Sequence, residues 1–188
     1  MARKHLQLIA GGLDYTCQIS ATRLGIIPLE APVPEVDALV IEQDTHGLLA
    51  VDTQIVEPDV PLATLANQLS TFAPYKLGDV VVKQGQPLQL YAIVHDLDES
   101  PSWRETWIVA ALDATFRIAR RRQLKRLGMA ALGTVHGHLP LERFIELLVE
   151  TVATHGDGPG QIWLGVKRSH CHKAIEALKH HCTSHSSL

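Results

Sequence analysis

The sequence predicts an α/β domain, a three-layer α/β/α sandwich built on a mixed sheet. Two observations predict it. The first half is a series of short β-like runs, each closed by Gly, Pro or Asp. The second half alternates helical periodicity with short apolar strands, which the right-handed crossover rule turns into parallel pairing.

Leu6 to Ala10, Tyr15 to Ser20 and Ile26 to Leu29 read as the first strands. Ala31 to Glu35 is a linker within the domain, because its two prolines remove amide donors and fix φ. Val36 to Ile41 has the apolar pattern of a strand buried on both faces, and Gly47 to Val56 offers another strand. Leu62, Leu65, Leu69 and Phe72 follow Pro61 at helical spacing and predict a short helix. Asp79 to Val82 and Leu88 to Val94 form a hairpin about a turn containing Gly85 and Pro87. Ser100-Pro101 supplies an N-cap and first-turn proline for a long helix carrying Trp107, Ile108, Ala111, Leu112, Thr115, Phe116 and Ala119, which ends near Gly128. Met129 to Leu132 is then a short strand, Pro140 to Thr154 an amphipathic helix, Ile162 to Val166 the last strand, and Ser169 to about His181 the last helix. Residues 1–188 read as one domain, with a His- and Cys-containing tail expected to fray from about residue 180.

Apolar residues make up 46% and charged residues 20%, so a packed core is expected and disorder is excluded. With 17 Lys and Arg against 20 Asp and Glu, the net charge is -3, and no global field draws the chain to nucleic acid. The apolar stretch Leu6 to Ala10 is too short for a signal-peptide core, and every longer run is interrupted by charges. A soluble protein without a membrane partner is expected. Cys17, Cys171 and Cys182 are odd in number, which argues against a disulfide framework and for the reducing cytoplasm.

Gly133-Thr134-Val135-His136-Gly137 lies between a predicted strand and helix. Its glycines permit positive φ and a close backbone approach, and amides converging ahead of a helix favour an anion such as a pyrophosphate. A strand-to-helix crossover needs glycines to turn in any case, so the motif alone does not decide. Gly78-Asp79-Val80-Val81-Val82, Gly85, Leu88 and Tyr91-Ala92-Ile93-Val94-His95, followed by a long helix, a short strand and this glycine-bracketed loop, resemble the macro domains over about Val36 to Leu178.

The resemblance implies ADP-ribose binding, with hydrolysis of ADP-ribose esters or related phosphoesters in some members. The sequence departs from the family at three places, the first being that the family's early acidic residue for the adenine has no counterpart, since neither Asp14 nor Glu30 sits in a matching motif. The asparagine-rich tetrad after Val36-Asp37-Ala38-Leu39-Val40 reads Ile41-Glu42-Gln43-Asp44, where Asp44 can accept hydroxyl hydrogen bonds from the distal ribose but donates none. Leu48-Leu49-Ala50-Val51-Asp52 keeps a Val-Asp pair but has side chains where a glycine run would wrap the phosphates. The resemblance extends to the N-terminal, non-catalytic domain of leucine aminopeptidases.

His95, at the end of a predicted strand, is carried forward, whereas Asp96, Asp98 and Glu99 read as a solvated acidic loop at a helix start. Arg117, Arg120, Arg121, Arg122, Lys125 and Arg126 crowd a helix end and read as a solvated face. His170, Cys171, His172, His180, His181, Cys182 and His185 have no zinc-ribbon or finger spacing, so no metal site is assigned. The expected ligand residues are Asp44, His95, Gly133, Thr134, Val135, His136 and Gly137. No catalytic residue and no cofactor are assigned. The first reading is a binding module for ADP-ribose or a related phosphorylated nucleotide. The alternatives are a degenerate scaffold for a homodimer or protein partner, as in an aminopeptidase N-terminal domain, and a weak ester or phosphoester hydrolase.

Overall fold

The computed structural model describes residues 15–32, 34–49 and 73–184. Seven strands are formed by these residues: β1 Tyr15–Ile19, β2 Thr22–Pro28, β3 Ala38–Asp44, β4 Val80–Lys83, β5 Leu88–His95, β6 Arg126–Ala130 and β7 Gln161–Val166. Three helices accompany them: α1 Glu105–Arg122, α2 Leu141–Thr154 and α3 Cys171–Ser184, the last entered through a 3-10 turn at Arg168–His170. The sheet order is β1-β2-β7-β6-β3-β5-β4. The inner pairs are parallel, and the two edge pairs, β1 with β2 and β4 with β5, are antiparallel. This is the α/β class with a mixed sheet that the sequence predicts.

Alternation along the strands decides which face is buried. Leu24, Ile26, Ala38, Val40, Leu90, Ala92, Leu127, Met129, Ile162 and Leu164 are all sealed from solvent, at positions that the cross-strand register places on one face. The apolar stripes of α1 (Ile108, Leu112, Phe116), α2 (Phe144, Leu148, Val152) and α3 (Ala174, Leu178) join them in a single core. Burying a side chain of this size stabilises by roughly 1.5–3 kcal/mol before chain entropy is counted. Leu39, Ile41 and Trp163 point to the opposite face and are only half-buried. The strand expected at Leu6 to Ala10 and the helix expected at Pro61 to Phe72 lie outside the described residues, as does most of the strand expected over Gly47 to Val56.

Three sequence expectations are corrected by tertiary contacts. The long helix starts at Glu105, four residues beyond Ser100-Pro101, because the intervening backbone turns back to the end of β5: the Asp96 amide donates to the Ser102 carbonyl and Trp103 bridges His95. It ends at Arg122, where Gln123 adopts the left-handed conformation with φ 57°. The strand after it begins at Arg126 and not Met129, since the Asp37 carboxylate takes the Lys125 and Arg126 amides at 2.7 and 2.8 Å and draws that segment into the sheet.

The cysteine reading is also overturned. Cys17 on β1 and Cys182 on α3 form a disulfide, so the argument from unpaired cysteines to a reducing compartment falls. The two half-cystines lie 165 residues apart, a separation that sequence spacing does not reveal. The chain about residue 180, expected to fray, is the last turns of α3 and is fastened to β1 by this bridge. Among the described residues, no helix is long and apolar enough to cross a membrane, and no cluster of three or more His, Cys, Asp or Glu is arranged to hold a metal ion.

Candidate functional site

Because β3, β5 and β6 run parallel, their carboxyl ends meet at one edge of the sheet, the place where α/β proteins collect ligands. Glu42, Gln43 and Asp44 arrive there from β3 and His95 from β5, while β6 delivers the crossover loop 131–140 that leads into α2. His95, Gly133 and His136 are thereby brought together around a residue outside the expected set, Glu42. Its carboxylate, 8% exposed as a residue, accepts the Gly133 amide at 2.7 Å through Oε2. His95 Nε2 lies 3.4 Å from the same oxygen, and His136 Nε2 lies 3.5 Å from Oε1. The two imidazoles meet edge to face with centroids 6.1 Å apart. His95 is completely buried, and its Nδ1 has no hydrogen-bond partner.

A signal for Glu42 exists in the sequence. Ala38, Val40 and Glu42 alternate along one strand, so a carboxylate at the third of these positions faces the core and demands partners. The departure from the asparagine tetrad drew attention to Asp44 instead.

Asp44 is fully buried and fills its carboxylate with its own turn. Oδ1 accepts the His46 amide at 2.6 Å, and Oδ2 accepts the Leu48 and Leu49 amides, both at 2.7 Å. Gln43 Oε1 reinforces the turn by accepting the Asp44 and Leu49 amides at 2.9 and 2.8 Å. Three of the roughly four lone-pair sites of the Asp44 carboxylate are therefore taken. Its geometry is that of a residue that shapes the loop, in contrast to the expected acceptor for a sugar hydroxyl.

The crossover loop divides into two parts. Gly133 has φ +73°, its amide is held by Glu42, and its carbonyl accepts the Leu139 amide at 2.9 Å. Thr134 closes the first turn on the Ala131 carbonyl through both its amide and its hydroxyl. The Val135, His136 and Gly137 amides form no hydrogen bond within the described residues, and Val135 is 59% exposed.

Gly137 differs from its expected role. Its φ is outside the left-handed region, and a Cβ there would stand 2.6 Å from both the Gly133 carbonyl oxygen and Trp103 Cγ. Close packing under Trp103 is what demands glycine at this position.

The rim of the site is acidic and solvated, as expected. Asp98 is 3.4 Å from His46 and Glu99 is 2.6 Å from Arg104, all at the surface.

No protein-family description matches the sequence, and no curated protein does. Solved structures do. A macrodomain of Oceanobacillus iheyensis with ADP superposes with TM-score 0.69 at 12% identity, over 92% of this chain and 97% of that one. The macrodomain of Thermus aquaticus DarG gives 0.55 at 20% identity, over 76% and 97%. A Trypanosoma brucei macrodomain in complex with ADP-ribose gives 0.57 at 18% identity, over 81% and 67%. With identities this low the likeness speaks for the fold, and it agrees with the mixed seven-stranded sheet and its three helices: this chain has the macro-domain fold.

Proposed function

We propose that the chain is a binding module for a phosphorylated nucleotide of the ADP-ribose class, held by the crossover loop 131–140. One observation carries this reading: three consecutive amides, Val135 to Gly137, have no hydrogen-bond partner among the described residues at the carboxyl edge of the parallel strands. Backbone amides left open in this way are suited to phosphate oxygens. The structural neighbours with ADP and with ADP-ribose support the choice of ligand class. In this reading His136 stands at the phosphate, while Asp44 and Glu42 position the two loops.

Titration calorimetry with ADP-ribose tests it, comparing the native chain with Val135→Pro. Proline removes one open amide at an exposed position without touching the Gly133 anchor. Affinity in the micromolar range that falls at least tenfold in the variant, about 1.4 kcal/mol, is the expected result. No heat at about millimolar ligand, with the protein folded, removes the proposal.

A second reading has its own observation. The Gly133 amide is already satisfied by Glu42, and Gly137 is required by packing, so the loop is stable without a ligand. A scaffold for protein association would need no more than this. A homodimer seen by light scattering and weakened by Val135→Glu, together with no response to any nucleotide, would favour it.

A further inference from the structure

We propose that the pocket between α1, β4 and the loop 75–79 is a second anion site, which takes the phosphate of a free nucleotide. It lies outside the crossover-loop site, and its case does not depend on that reading. The cavity holds about 300 Å³ and is lined by Lys76, Arg117 and Arg121 against a single carboxylate, Asp79. A local excess of positive charge thus appears in a chain whose net charge is -3.

Arg104 pairs with Glu99, Arg120 with Asp157, Arg126 with Glu35 and Asp37, and Arg143 with Glu105 and Glu146. Arg117, Arg121 and Lys76 have no ion-pair partner among the described residues. Arg23, Arg122, Lys125, Lys167 and Arg168 also have no ion-pair partner among the described residues, and what sets Lys76, Arg117 and Arg121 apart is that they line one cavity together. Favourable interaction with the helix C-terminus accounts for cations only in the last turn. Arg117 stands five residues before the end of α1 at Arg122, beyond that range.

Arg117 and Arg121 are one helical turn apart, so their guanidiniums project from the same face, roughly 6 Å apart at Cβ. Two planar forks at that spacing match the oxygens of a phosphate, and Lys76 adds a point charge from the facing loop. Val80, Val81, Ala114 and Ile118 supply an apolar wall on which a base can lie.

The loop is built to hold this shape. Gly78, at φ +80°, lies so close to α1 that a Cβ there would come within 2.7 Å of Ala110 Cβ. Its amide is fixed to the Ile93 carbonyl at 2.8 Å, and the Tyr75 amide to the Thr45 carbonyl at 2.8 Å. The cationic walls therefore face each other across a framed cavity.

The test is a titration of the isotopically labelled chain with adenosine monophosphate, followed by amide chemical shifts. Shifts at Val80, Val81, Ala114 and Ile118 are expected, with affinity at least about tenfold weaker in Arg117→Ala/Arg121→Ala and tighter in Asp79→Asn, where the opposing charge is gone. Both arginines are exposed, so the double variant keeps its fold, and Lys76→Gln alone should show a smaller loss in the same direction. Shifts confined to residues 133–137 would place the nucleotide only at the crossover loop and overturn the proposal. So would no shift at about 10 mM nucleotide. Binding of a single-stranded oligonucleotide with steep salt dependence, in the absence of mononucleotide binding, would overturn it in favour of a nucleic acid.

Discussion

The loops that leave β3 and β6 at the same edge of the sheet are each tied by a buried carboxylate, but in opposite proportions. Asp44 draws three amides of its own turn onto itself, with Gln43 taking a fourth, that of Asp44, and sharing that of Leu49. Glu42 reaches across to hold one amide of the other loop, at Gly133, and shares its remaining capacity with His95 and His136. The difference teaches where a ligand has room. The His46, Leu48 and Leu49 amides already point at the Asp44 carboxylate, whereas the Val135, His136 and Gly137 amides of the other loop have no partner among the described residues. Two neighbouring acidic residues on one strand, at positions 42 and 44, thus give one self-contained turn and one loop with open amides.

The largest effect should come from breaking the self-contained turn. Asp44→Ala leaves the His46 and Leu48 amides without an acceptor and the Leu49 amide with Gln43 Oε1 alone, and is expected to cost about 2–4 kcal/mol in urea unfolding, with Asp44→Asn recovering part. A loss below about 1 kcal/mol would mean that the turn does not depend on its carboxylate.

Next comes Gly137→Val, which should lower stability by about 2–3 kcal/mol through overpacking against Trp103 and the Gly133 carbonyl. Thermal unfolding without ligand measures it. Full apo stability in this variant would contradict the packing account and return Gly137 to a role in ligand contact alone.

Glu42→Gln sharpens the comparison from the other side. The amide oxygen still accepts the Gly133 amide, but the buried negative charge beside the open amides is removed, so ADP-ribose should bind about tenfold tighter while stability changes little. Unchanged or weaker binding in calorimetry would show that the charge does not oppose the ligand.

The smallest effect concerns Asp37, the anchor between β3 and β6. Burial works to raise its pKa, but the Arg126 and Lys125 amides and the Arg126 guanidinium outweigh it, and the carboxyl is held below its usual range. A pKa lowered in the folded state stabilises fully above the unfolded value and is lost as pH falls through the folded one. Asp37→Asn should therefore cost no more than about 1 kcal/mol at neutral pH, since the pair is partly exposed. The gap to the native chain should close below about pH 4. A gap that persists in acid would show that the carboxylate's charge is not its source.

Much of the fold was legible because apolar periodicity is a local record of burial. The stripe Ile108, Leu112 and Phe116, and the runs now seen as β3, β5 and β7, state their partners' side of the chain whatever those partners are. Boundaries were less legible, since α1 begins where the backbone is released from β5 and β6 begins where Asp37 takes hold, and neither contact is written nearby in sequence. The candidate site was legible by place, with the crossover loop and His95 at one sheet edge, and much less by role.

By itself, then, the sequence determined the order of strands and helices, the face of each that turns inward, and the glycine-bracketed crossover after β6. Tertiary structure alone decided that Glu42 would hold that loop, that Asp44 would close its own turn, that Cys17 would meet Cys182, and that Arg117, Arg121 and Lys76 would face one cavity. The physical reason is the range of each interaction. Periodicity follows from geometry within a few residues, but a carboxylate, a thiol or a guanidinium acquires its role from whichever distant segment the folded chain brings within about 3 Å, and spacing along the sequence carries no record of that encounter.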